Sequence, residues 1–148
     1  MSKSNAFENA LLKLIFNASA VTGLADNPAV GALTNLYVSL HSADPGEAGD
    51  QTTSEVAYTG YARVAVARTS GGWTVTGATV SPAANIDFPA CAAGSVSATH
   101  FGIGTASSGA GVLLYSGQLV DDVGDPAPVA ISAGVSPRLL TTTTITED

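Results

Sequence analysis

Positive charge is the scarcest property of this chain. Lys3, Lys13, Arg63, Arg68 and Arg138 carry all of it, against 12 acidic residues, for a net charge of −7 over 148 residues. Binding a nucleic-acid backbone needs clustered Lys and Arg, and five scattered cations form no such patch. The same deficit disfavours an anionic lipid surface. Cysteine is nearly missing too. Cys91 stands alone, so no intrachain disulfide can form. Set among small residues in "FPACAAG", it reads as a buried, inert thiol; a reactive one needs a histidine or a helix N-terminus beside it.

Long apolar runs are absent as well, and nothing reaches the length of a membrane span. "LLKLIF" followed by "ASA" imitates a secretory leader. Lys13 interrupts that short stretch and Glu8 precedes it, so export by this route is not expected. The sequon Asn17-Ala18-Ser19 then carries no meaning. Aromatics number one Trp, four Tyr and four Phe. Ala, Thr, Gly, Ser and Val fill the chain instead, a mix that suits thin β-structure with many turns rather than a helical bundle.

The pattern that is present begins with one helix, over residues 1–17. Asn5 is positioned to cap it, with Glu8 three residues on. Phe7, Ala10, Leu11, Leu14 and Ile15 form an apolar stripe, and Leu12 and Phe16 widen it. Asn9, Lys13 and Asn17 line the other face. Residues 18–35, including "VTGLADNPAVGALTN", read as a loop. From 36 onward the period changes to two. "LYVSLHS" alternates Leu36, Val38 and Leu40 against Tyr37, Ser39 and His41. Further strands are "YARVAVAR", "GGWTVTG", "NIDFP", "ATHFGIGT", "GVLLYSGQL" and "PVAIS", with "RLLTTTTITE" closing the chain. "SSGAG" and "DDVGDPAP" are their turns. The expected fold is mainly β: an antiparallel β-sandwich or partly open barrel over 36–148 with one N-terminal amphipathic α-helix, in a single domain 1–148.

Candidate chemistry gathers in "LHSADPGEAGD". Asp44, Glu47 and Asp50, with Glu55 beyond, offer oxygen ligands, but the alternating pattern of a calcium loop is missing. Asp44-Pro45-Gly46 fits a turn with Pro second and the Asp side chain closing it. His41 and His100 could meet across strands, yet zinc needs a third ligand and none stands at a defined spacing. "FGIGTASSG" begins like a dinucleotide fingerprint, then places Ser107 where a third glycine belongs, with no helix after it. No nucleophile elbow or phosphate loop exists. The expectation is therefore no enzyme, no cofactor and no metal. An enzyme using His41, His100, Asp44 and Glu47 is the opposing reading.

Three segments occur in one order: "SNAFENALLKLIF", "LYVSLHSADPGEAGDQTTSEVAYTGYARVAVA" and "ATHFGIGTASSGAGVLLYSGQL". In this the chain resembles a family of small virion proteins of tailed bacteriophages, commonly labelled tail fibre proteins, with relatives that act as capsid cement or decoration proteins. "VTGLADNPAVGAL" and "DDVGDPAPVAIS" depart from the pattern. The resemblance implies a virion structural protein on the outer capsid surface, made in the host cytoplasm. Its main implied role is a decoration protein that stabilises the head by binding major capsid protein, with copies assembling as a trimer; a tail fibre or tail-tip component that binds a host receptor is the alternative. No nucleic acid and no membrane are expected as partners. The residues expected at an interface are Phe7, Leu11, Leu14 and Ile15 on the helix and Asp44, Pro45 and Glu47 on the acidic turn.

Overall fold

The computed structural model describes residues 3–21, 25 and 31–147. Residues 22–24 and 26–30 of the first loop therefore lie outside the described residues. The chain is mainly β, with antiparallel sheets that do not close into a barrel. The helix is α1 (Asn5–Asn17). The strands are β1 (Asn35–His41), β2 (Val64–Ala67), β3 (Trp73–Thr76), β4 (Thr79–Pro82), β5 (Ile86–Asp87), β6 (Ser95–Ala98), β7 (His100–Gly104), β8 (Leu113–Gln118), β9 (Val129–Ser132), β10 (Arg138–Leu139) and β11 (Ile145–Thr146). Among the described residues they form a four-stranded sheet in the order β2-β1-β7-β8, a three-stranded sheet β11-β4-β3, and the pairs β10-β5 and β6-β9.

Two compact units result. One holds residues 1–36, 66–86 and 139–148; the other holds 37–65 and 87–138. Their chain segments interleave, passing from one unit to the other inside β1, β2, β5 and β10.

In the first unit α1 packs on the β3–β4 hairpin. Its cap is Ser4, not Asn5: the Ser4 hydroxyl accepts from the Phe7 N–H at 3.4 Å, and Asn5 is already helical. The buried face is also turned from the expected stripe. Glu8, Leu12 and Phe16 are buried, whereas Phe7 is 39% exposed. The reason is tertiary. Eight of its 13 residues are apolar, more than one narrow stripe holds, so its docking partners choose the face. Phe16 meets the Trp73 ring edge-on with centroids 4.9 Å apart. Asn17 donates to the Trp73 carbonyl at 3.0 Å and Asn9 to the Gly77 carbonyl at 2.7 Å. These asparagines, assigned by sequence to the polar face, grip the hairpin. Gly77 supplies the positive φ that its two-residue turn needs.

Arg68 finishes the helix. The last carbonyls of a helix lack internal partners and carry partial negative charge. Arg68 Nε donates to the Ile15 carbonyl and Nη2 to that of Leu14, both at 2.7 Å, while Nη1 reaches the Leu33 carbonyl. Burial depresses the pKa of this guanidinium below its usual value.

The expected closing strand is two strands. Thr143 N–H bonds back to the Leu140 carbonyl, and Thr141 N–H is taken by Asn85 Oδ1. That turn splits the Thr-rich segment into β10 and β11, overriding the extended propensity of threonine. β4 and β6 went unrecognised in the sequence, being four-residue runs with little apolar content.

Candidate functional site

In the second unit β1 and β7 run antiparallel with His41 opposite His100, Ser39 opposite Gly102, and Tyr37 opposite Gly104. Alternation predicts that the Ser39–His41 face meets solvent. It does not: Ser39 and His41 are both fully buried. The glycines explain how this face is covered. A Cβ on Gly102 would lie 2.6 Å from His41 Nε2 and 2.8 Å from Ser39 Oγ; on Gly104 it would lie 2.2 Å from Gln51 Cδ. Glycines at alternate positions of a strand mark close approach by another group. Here they admit the Gln51 side chain and the imidazole, and that is the role of the "GIG" in the false dinucleotide motif.

The network over this face is fixed by donor and acceptor chemistry. His41 Nδ1 lies 2.8 Å from the Thr53 carbonyl, which can only accept, so Nδ1 carries the proton. Nε2 then accepts from the Ser39 hydroxyl at 2.8 Å. Burial depresses the pKa of His41, and the neutral ring suits this arrangement. A serine bonded to an oriented imidazole has the parts of a nucleophile and its base. With both side chains sealed at 0% exposure, no substrate reaches the oxygen. The pair therefore holds the β1 end to the 51–55 segment.

That segment is anchored by Arg63. Nε and Nη2 form a two-pronged ion pair with Glu55 at 2.7 and 2.8 Å. The remaining donors take the carbonyls of Ala106 at 2.9 Å, Gln51 at 3.1 Å and Gly109 at 2.8 Å. One guanidinium thus ties residues 51–55 to the β7–β8 loop, a use that its planar fork suits better than a lysine would. Its side chain is 2% exposed. The Tyr61 hydroxyl donates to Glu55 Oε1 at 2.9 Å and accepts from the Leu40 N–H at 3.2 Å, and burial pushes its pKa up. Gln51 Oε1 accepts from Ala106 N–H at 2.9 Å, while its Nε2 is buried with no partner among the described residues.

The acidic stretch is the turn its sequence suggested. Asp44 Oδ1 accepts from Gly46 N–H at 2.9 Å, and Gly46 has φ +69°. Asp50 closes the next turn by accepting from the Thr52 N–H at 2.8 Å and hydroxyl at 2.6 Å, which lowers its pKa. Among the described residues no three His, Cys, Asp or Glu side chains gather to hold a metal. Cys91 is buried beside the carbonyls of Ala93 and Gly94.

Of the residues expected at an interface, Phe7 is exposed and Leu11, Leu14 and Ile15 are half-buried on α1, in the first unit. Asp44 and Glu47 are exposed in the second unit, where Pro45 is buried between them. Asp44 and Glu47 also wall an open cleft of about 660 Å³ whose floor is β8, with His100 at one side. His100 Nδ1 pairs with the Thr99 hydroxyl at 2.9 Å. Sequence reading missed Ser39, Gln51, Thr53 and Arg63 as members of a network. The available signal was the glycine pair on β7, which announced that something lies on that face.

A sealed polar network, a turn-built acidic loop and open antiparallel sheets define a small β-rich structural module. The family model of the Podophage GP4 fiber I protein gp80 matches residues 2–125, and the chain belongs to that family. It is thus a phage structural protein of fibre type. A search of curated proteins returned no match.

Proposed function

We propose that this chain is a non-catalytic fibre component of a podophage tail that takes part in binding the host surface. The observation that carries this reading is the fibre-family match over residues 2–125. Contact rather than catalysis is supported by the burial of the Ser39–His41 pair, the one serine–imidazole contact in the described residues with nucleophile geometry. The net charge of −7 suits a protein kept outside a nucleic-acid-filled head. Nucleic acid and membrane are not among the proposed partners, and copies of the chain acting together would strengthen weak contacts by avidity.

The test is to image phage carrying an epitope-tagged copy with gold-labelled antibody and to measure adsorption in the presence of soluble protein. Label at the tail and competition for host cells support the reading. Label over the head shell, with no effect on adsorption, replaces it with the capsid decoration role.

A further inference from the structure

β8 is the outer strand of its sheet: among the described residues nothing pairs with its far side. Leu119 N–H bonds to the Thr99 carbonyl. The alternation of an antiparallel ladder then turns the N–H and C=O of Gln118 and Ser116 away from β7. All six residues 113–118 line the open cleft, both parities together, so the cleft follows the strand's edge as well as one of its faces. Unpaired edge groups are a template for another strand, and proteins that do not use an edge usually blunt it with Lys, Pro or a covering segment. β8, "LLYSGQ", has neither Lys nor Pro, and its one irregularity, the extra residue Leu114 opposite Ile103–Gly104, lies at the end away from Gln118.

The charge around this edge selects what fits. Asp44 and Glu47 face the cleft and no Lys or Arg lines it. Asp44 spends one oxygen on Gly46, and Glu47 makes no hydrogen bond or ion pair within the described residues. A second copy of this chain is poorly matched. Four of its five cations, Arg63, Arg68, Arg138 and Lys3, are already engaged with Glu55, helix carbonyls, Asp87 and Glu147, which leaves Lys13 on α1. It would also bring the same carboxylates.

We propose that the β8 edge takes an extended, Lys- or Arg-bearing segment of a different virion protein as an added strand. Main-chain bonds to Ser116 and Gln118 hold the segment, and Asp44 and Glu47 pair with its cations. This is strand addition, in which the backbone gives affinity and side chains give selection. It does not depend on whether the protein sits at the tail or the head.

The experiment uses phage lacking the native copy and propagated on cells that supply variants. Carbodiimide joins a carboxylate directly to an adjacent lysine, so treating intact particles is expected to link Asp44 or Glu47 to a lysine of another virion protein, identified by mass spectrometry. Ser116→Pro deletes an outward N–H and Glu47→Lys reverses the local charge. Both are expected to lose the protein from purified particles, with Ser116→Ala retained. If Ser116→Pro loses cooperative unfolding, Glu47→Lys decides alone: loss supports the proposal and normal occupancy overturns it. Full occupancy by both variants overturns it. So does a link to Lys3 or Lys13 of another copy, which would mean self-assembly. Normal occupancy of Glu47→Lys with lost host adsorption also overturns it, and assigns the cleft to a host-surface ligand. Tail or head labelling tests the fibre reading separately.

Discussion

The Ser39 hydroxyl lies 2.8 Å from Nε2 of His41, and neither residue reaches solvent. The folded state therefore holds His41 neutral, with its pKa below 6.5 because burial penalises the charged ring. An unfolded chain binds a proton at that histidine more readily than the folded one. Stability from this group is fully present above about pH 6.5 and is lost as pH falls toward the depressed folded value. Denaturant midpoints across pH 7.5 to about 5 are expected to fall, and His41→Gln is expected to flatten that part of the profile. An equally steep profile in the variant would refute the assignment.

Removing Arg63 leaves the Glu55 carboxylate and three loop carbonyls without their donor. Breaking a buried ion pair costs about 3–5 kcal/mol. Glu55 is partly exposed, so Arg63→Ala is expected near the lower end of that range, read by urea unfolding. Arg63→Lys is expected to recover only a minor part, because an ammonium cannot span Glu55 and the loop carbonyls at once. Equal stability of the wild type and the Lys variant would show that the fork geometry is irrelevant.

Gly104→Ala places a methyl group 2.2 Å from the Gln51 side chain. Overpacking of this kind costs about 1–3 kcal/mol. In a Gln51→Ala background the space exists, and the same Gly104→Ala change is expected to cost much less. Additive effects in this double-mutant cycle would mean that the two side chains do not compete for the site.

The position of the helix cap separates two registers. Ser4→Ala is expected to cost about 0.5–1 kcal/mol and Asn5→Ala close to nothing. The thermal midpoint of each variant reads this directly, and the reverse order would restore Asn5 as the cap.

At the other end of α1, Arg68→Ala uncaps the Leu14 and Ile15 carbonyls. A loss of about 1–2 kcal/mol is expected, the scale of a favourable helix-terminus cation plus its hydrogen bonds. Far-UV circular dichroism should lose helical signal before the β signal changes. Simultaneous loss of both would mean that the helix is not independently tethered.

The sequence by itself determined the β-rich class, the single strong helix, the position of most strands and the Asp44-Pro45-Gly46 turn. Those features are local: the period of apolar residues, and Pro and Gly dihedral limits, act within a few residues and survive any packing. It also carried the phage-family resemblance, which lies in ordered segments rather than in a site. Only tertiary structure decided which face of α1 is buried, because a helix whose apolar residues spread beyond one stripe is oriented by its neighbours: Trp73 and the two hairpin carbonyls. It likewise decided that His41 is sealed rather than exposed. Strand alternation describes one sheet face at a time and cannot anticipate that Gln51 and Thr53, ten and twelve residues further on, fold back over the space two glycines leave.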